Sequence, residues 1–193
     1  LGFVGIELIS KVKILLPKNI LSVTMGNDIN PNNSINIRNL KMVIEEEVNY
    51  LKIGLFDTKY LSEHQIILEQ IDFKKTQPIC VMFADQDFDL NNVEKLIDIG
   101  YQGIMIDTCN KNSKSIVDLL SRKEIKYFLK TVKARGMICG LSGSLKLEHI
   151  SMLRELNPDF LGFRGQLCDP SKARYKFNEN LAEEVSKKIK LSF

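Results

Sequence analysis

The sequence predicts an α/β fold: a single domain over residues 1–193, built as a TIM (βα)8-type barrel that is incomplete, with about six βα units and the first two strands missing. Three observations predict it. Six short apolar runs of strand length alternate with helical patterns at a spacing of roughly 20 to 35 residues, as repeated βαβ units in a parallel sheet require. The runs are apolar almost throughout, like strands buried on both faces. The residues that end them are strongly polar, and a barrel keeps its working groups at those ends. No Gly-x-Gly-x-x-Gly fingerprint follows the first run, which disfavours a dinucleotide-binding sheet. A whole barrel takes ~250 residues. This chain has 193 and starts at Leu1 rather than methionine, so the two strands not accounted for are expected to precede it.

The strands are expected at Ile20–Met25, Tyr50–Leu55, Ile79–Phe83, Gly103–Ile106, Met137–Leu141 and Phe160–Phe163. Between them, Leu90, Val93, Leu96 and Ile97 form a helical stripe that Gly100 can close. Ile125, Phe128, Leu129 and Val132 form a second stripe, stopped by Gly136. His149–Leu156 presents Ile150 and Leu153 before Pro158. A last helix is expected to start near Asn180 as N-cap, with Glu183 and Glu184 early and Lys187, Lys188 and Lys190 late, complementing the helix dipole. Asn39–Val48 and Tyr60–Ile71 are weaker helical segments, and Glu45-Glu46-Glu47 reads as a solvated helix face. If the sheet is open, its two edges, Ile20–Met25 and Phe160–Phe163, invite pairing between copies, so low solubility or a homo-oligomer is expected.

Composition narrows the function. The chain is 44% apolar and 26% charged with a net charge of +3, ordinary for a globular protein. The basic residues are dispersed without interleaved aromatics, so no nucleic acid partner is expected. No apolar run reaches the ~18 residues that span a bilayer, so no membrane role is expected. Cys80, Cys109, Cys139 and Cys168 are widely spaced and read as reduced thiols in a cytoplasmic protein. With only His64 and His149 beside them, neither a metal nor another cofactor is expected.

The candidate chemistry lies at the strand ends. Lys52 interrupts the apolar run Tyr50-Leu51-Lys52-Ile53-Gly54-Leu55-Phe56, sharing a face with Gly54 while Leu51 and Ile53 share the other. A charge there costs several kcal/mol unless it meets a polar cavity or partner. A lysine so placed can serve as an imine-forming amine or a proton carrier, because burial lowers its pKa. It can equally snorkel past the sheet edge. Asp107 ends the run Ile104-Met105-Ile106, and Lys111 follows shortly. An aspartate near two lysines can hold one ammonium charged while the other gives up its proton. Asp107, and Asp85 likewise, can instead cap the next segment or hold a loop amide. Lys114 and Lys146 are expected in solvent, and His149 is expected to be structural. Gly143-Ser144 opens a loop before a helical segment, and Arg164-Gly165 ends the last strand. Glycine lets backbone amides approach an anion and arginine can grip it with two bonds, so these two loops are candidates for phosphate.

Taken together, Lys52-Ile53-Gly54-Leu55, Ile106-Asp107-Thr108 with Lys111, Ser142-Gly143-Ser144 followed by Glu148-His149-Ile150, and Gly162-Phe163-Arg164-Gly165 with Cys168 resemble the (5-formylfuran-3-yl)methyl phosphate synthases. The resemblance runs from about Leu1 to Ile189 in one register. It implies a TIM barrel of methanofuran biosynthesis, a lyase-type synthase that joins two molecules of glyceraldehyde 3-phosphate with loss of phosphate and water. Under it Lys52 is a proton acceptor, Asp107 and Lys111 are polar site residues, and Gly143, Ser144, Arg164 and Gly165 hold phosphate.

The same resemblance implies an imine-forming lysine in an Asp-x-Lys-Asn-Pro segment, which does not occur in this chain. Activity of these residues alone is therefore expected to be reduced or absent. Two further stretches depart from the family: Met82-Phe83-Ala84-Asp85, and the loop after Cys168, with Asp169-Pro170-Ser171. Triose phosphate condensation needs an amine, a base beside the carbonyl and cations for the phosphates. Lys52, Lys111, Asp107 and Arg164 supply the base and the cations. Two alternatives stay open: another lysine-dependent aldolase-type barrel acting on a small sugar phosphate, and a non-catalytic barrel fragment that binds a phosphorylated metabolite.

Overall fold

A computed structural model describes residues 3–26, 30–110, 114–169 and 176–191. Within them six strands form one sheet in the order β1 (Ser22–Thr24), β2 (Tyr50–Leu55), β3 (Gln77–Phe83), β4 (Gly103–Asp107), β5 (Ile138–Leu141) and β6 (Phe160–Leu161). Neighbours in the chain are neighbours in the sheet, and the pairs β1–β2, β2–β3 and β5–β6 are parallel. A doubly wound sheet reverses its order at a switch point. This one does not, as the barrel reading requires. The helices are α1 (Ile6–Leu15), α2 (Ser34–Glu45), α3 (Leu61–Gln70), α4 (Asn92–Asp98), α5 (Ile116–Leu119), α6 (Arg122–Ala134), α7 (Ile150–Glu155) and α8 (Glu179–Leu191). The chain divides into two compact units, Leu1–Met82 with Asp89–Ile104, and Phe83–Phe88 with Met105–Phe193.

In the first unit, α2 starts because the Asn33 side chain accepts the amides of Ile35 and Asn36. It buries Leu40, Val43 and Ile44, which share the interior with Leu51 and Ile53 of β2, Ile67 of α3 and Val93 and Leu96 of α4. Each such side chain contributes about 1.5–3 kcal/mol by leaving water. β2 does not behave as a strand buried on both faces. Leu51, Ile53 and Leu55 are buried while Tyr50, Lys52 and Gly54 are only half-buried, a period-two alternation. β3 and β4 show the continuous burial expected, from Pro78 to Met82 and from Gly103 to Ile106. On α3, the buried His64 shares a hydrogen bond between its Nδ1 and the Tyr101 hydroxyl at 2.6 Å. Burial disfavours its charged form and lowers its pKa from 6.5 to about 4. Glu45 and Glu47 pair at the surface with Lys74 and Lys75, while Glu46 accepts from the Ser10 hydroxyl and, at its carbonyl, from Lys13.

The second unit closes around α6. Ser121 and Glu124 form a reciprocal capping box, with Ser121 Oγ accepting the Glu124 amide at 3.2 Å and Glu124 Oε2 accepting the Ser121 amide at 2.7 Å. Ile125, Phe128, Leu129 and Val132 are the buried stripe the sequence predicts, packed in one interior with Cys139, Leu141, Ile150 and Leu153. Gly136, at φ +68°, ends this helix as expected, and Gly100, at φ +107°, does so for α4 in the first unit. At α8 the cap differs from expectation. Asn180 lies inside the helix, and Asn178 caps it, its side chain accepting the Leu181 amide at 3.2 Å. Two asparagines a residue pair apart carry the same local signal, and the longer-range bond from the Asn178 amide to Leu167 O at 2.9 Å places the helix start. α1 and α5 are helices that the periodicity did not outline.

Candidate functional site

In the first unit, Lys52 lies in mid-strand on β2. Its register partners are Thr24 on β1 and Ile79 on β3, and the Met25 amide donates to its carbonyl at 3.0 Å. Residues in register share a face, so Lys52 stands with Thr24 and Ile79, opposite the face that buries Leu51 and Ile53. The half-burial of Lys52 fits a charged side chain on a strand's less enclosed face.

The other described candidates belong to the second unit. Here β4 ends at Asp107, whose Oδ1 accepts the amide of Thr108 at 2.7 Å. The residues after β3 reach the same place. The Ala84 amide donates to Asp107 O at 2.9 Å, and Asp85 accepts two further amides from the loop, Cys109 at Oδ1 and Asn110 at Oδ2, each at 2.7 Å. The loop-holding role that the sequence left open for both aspartates is therefore present in the structure. Charge-assisted bonds to backbone amides are about twice as strong as neutral ones, so this anchor is firm.

From the β5 side, the Ser142 amide donates to Ile106 O at 2.8 Å. Gly143 then turns with φ +103° and Ser144 follows with φ +50°. The Ile116 amide at the start of α5 donates back to Gly143 O at 3.2 Å. Next in the sheet, the Gly162 amide donates to Leu141 O at 2.8 Å, and a Cβ on Gly162 would lie 2.8 Å from Ser142 Cβ. Arg164, half-buried, precedes a short 3-10 turn over Gly165–Leu167, and its carbonyl accepts the Leu167 amide at 3.0 Å and the Cys168 thiol at 3.3 Å. Gly165 is exposed, with nothing within 4 Å of a Cβ built there. The structure thus brings Asp85, Asp107 and Gly143 together through hydrogen bonds of the loops after β3, β4 and β5, with Ser144 next in the chain, and carries Arg164 and Gly165 in the loop after β6. Lys111 lies outside the described residues.

Thr108 and Ser142, which the sequence motifs include without a role of their own, are both buried polar residues at strand ends. Their signal was position: each directly precedes or follows a candidate. Asp118 completes the capping box of α5, accepting the Ser115 amide at 2.8 Å and hydroxyl at 2.9 Å. Those bonds, with help from His149 and Lys146, hold its carboxyl below the usual range. His149 is structural as expected, its Nδ1 accepting the Lys146 amide at 3.2 Å, and Lys114 and Lys146 are exposed. Cys80, Cys109, Cys139 and Cys168 are free thiols. Burial and the Asp159 carboxylate push Cys139 up to about 12.

A family model described as 4-HFC-P synthase matches residues 1–186. The (5-formylfuran-3-yl)methyl phosphate synthase of Methanococcus aeolicus is 28% identical over 172 residues, covering 83% of this chain and 73% of that protein. The protein of the same name from Methanocaldococcus jannaschii is 26% identical over 195 residues, covering 95% and 81%. The chain spans as little as 41% of another curated relative. Among solved structures, KGPDC from Streptococcus mutans superposes with a TM-score of 0.65 at 14% identity, covering 98% of this chain and 81% of that one. Phosphoribosyl anthranilate isomerase from Thermus thermophilus gives 0.63 at 11%, covering 97% and 80%. Both are TIM-barrel-like, so the fold class is the one the strand pattern predicts.

Proposed function

The chain belongs to the 4-HFC-P synthase family, and from that premise we propose that it acts as a lyase-type enzyme of methanofuran biosynthesis, joining two molecules of glyceraldehyde 3-phosphate into (5-formylfuran-3-yl)methyl phosphate with loss of phosphate and water. The observation that carries this reading is the family match across residues 1–186, which takes in every candidate side chain. The polar cluster at the ends of β3, β4 and β5 supports it.

In this reading Lys52 takes the proton beside the carbonyl, a step worth about 10²–10⁴-fold when the base is well placed. Asp107 and Lys111 stabilise the charge that develops. Gly143 and Ser144 offer backbone amides to one phosphate, and Arg164 with Gly165 grips it through a guanidinium suited to paired contacts. None of these residues is assigned the imine, so turnover by residues 1–193 alone is expected to be impaired. We place the protein in the cytoplasm, where four free thiols are stable. No helix among the described residues is long and apolar enough to cross a membrane. We read residues 1–193 as one partial-barrel domain, and propose a homo-oligomer because both outer strands of the sheet, β1 and β6, offer edges to a second copy.

The test is to incubate the full chain with glyceraldehyde 3-phosphate and follow the ultraviolet absorbance of the furan aldehyde, with borohydride added in parallel to trap any imine. Furan aldehyde formed even slowly, and lost in Lys52→Met, supports the reading. An imine trapped only with other trioses overturns it, and full turnover by residues 1–193 alone overturns the expected impairment.

A further inference from the structure

We propose that Asp85 is a positioning residue of this site, neither acid nor base: its carboxylate clamps the loop after β4 and so sets the direction of Asp107. The inference rests on the role given to Asp107 above. Three bonds tie residues 84–85 to residues 107–110: Ala84 N to Asp107 O at 2.9 Å, Cys109 N to Asp85 Oδ1 and Asn110 N to Asp85 Oδ2, both at 2.7 Å. They bracket Thr108 from either side. The Asp107 carboxylate in turn accepts the Thr108 amide at 2.7 Å, so its direction follows the Thr108 peptide.

Asp85 is well held for this task. The Gln86 amide donates to Phe83 O at 3.1 Å, the Phe88 amide to Gln86 O at 2.8 Å, and Gln86 Nε2 to Asp85 O at 2.9 Å. The turn after β3 is thus fixed before it reaches across 24 and 25 residues of sequence to the two amides. A general acid or base needs an oxygen presented to the substrate, whereas each Asp85 oxygen is turned toward an amide of the loop. Asparagine is a poor substitute, because its amide nitrogen would face one of those two N–H donors.

The experiment compares Asp85→Ala, Asp85→Asn and Asp107→Asn in the full chain, with circular dichroism to verify folding. Amide hydrogen exchange is expected to quicken at least about tenfold at Cys109 and Asn110 in Asp85→Ala, with α6 unchanged. Where turnover is measurable, kcat falls about 10- to 100-fold with KM nearly constant, and both limbs of the pH–rate profile survive. Unchanged exchange at the two amides, or loss of a limb, overturns the proposal. Exchange needs no turnover, so the clamp is decided separately from the synthase reading, whatever the activity of residues 1–193 alone. Should Asp85→Ala fail to fold, Asp85→Asn supplies the same exchange readout.

Discussion

Gly143 lies against the backbone of Thr108: a Cβ at position 143 would stand 2.8 Å from the Thr108 nitrogen and 2.7 Å from Ile116 Cγ2. The loops that end β4 and β5 are therefore in contact where the candidate aspartate and the candidate phosphate turn meet. Gly143→Ala adds an overlap with backbone to a φ of +103° that L side chains rarely adopt. The expected loss is about 2–4 kcal/mol, seen as a fall in Tm of about 5–15 °C. Gly165→Ala, at an open position, should leave Tm within about 2 °C. Thermal melts of the two variants check the contrast.

Lys52→Met keeps an unbranched side chain one atom shorter and removes the amine. Furan aldehyde formation is expected to fall at least about 100-fold, while far-ultraviolet dichroism and the denaturant midpoint hold, because a half-buried position on β2 tolerates an unbranched side chain. Lys52→Arg keeps a charge without a readily lost proton and should be nearly as inactive. Steady-state assays on both variants provide the check.

Arg164→Ala removes the cation beside the Gly165 turn. If that side chain holds phosphate, KM for glyceraldehyde 3-phosphate rises about 10- to 100-fold, the worth of a charge-assisted pair. Arg164→Lys should recover only part, since an ammonium cannot make the paired contact. Inorganic phosphate should inhibit the wild type more strongly than Arg164→Ala. Equal inhibition of the two counts against the assignment.

His64 predicts an acid limb of stability. Its pKa is lowered from 6.5 to about 4 in the folded protein, so between those values the unfolded chain holds the extra proton. Stability is then full above pH 6.5 and declines as pH falls toward 4, by on the order of 3 kcal/mol at most. His64→Gln keeps a hydrogen-bonding side chain for Tyr101 without titrating, so this part of the slope should vanish. Denaturant midpoints from about pH 7.5 to about pH 4.5 measure it.

Ile14 and Leu15 on α1 are 77% and 75% exposed, beside the exposed Leu8 and Leu16. Such a patch lowers solubility. Ile14→Lys with Leu15→Lys should raise the concentration at which light scattering begins without moving Tm, since neither side chain packs in the interior.

Strand and helix positions were legible because their signals are local. β2 begins and ends where the apolar run does, and α6 follows its stripe from the Ser121 cap to Gly136. β1 and β6 came out shorter than their apolar runs, at three and two residues, because an outer strand has a partner on one side only. The Asn180 cap was misplaced, since Asn178 carries the same capping chemistry and only its amide's bond to Leu167 separates the two.

By itself, the sequence determined the order of the βα units, the polar character of the strand ends and the resemblance to the synthases, because each depends on residue type and spacing along the chain. Only the tertiary structure decided what those polar ends do to one another. That Asp85 spends both oxygens on the amides of Cys109 and Asn110, and that Gly143 must lack a side chain to pass Thr108, are matters of partners more than twenty residues apart. A carboxylate looks the same in sequence whether it meets an amide, a lysine or water, and the fold alone chooses among them.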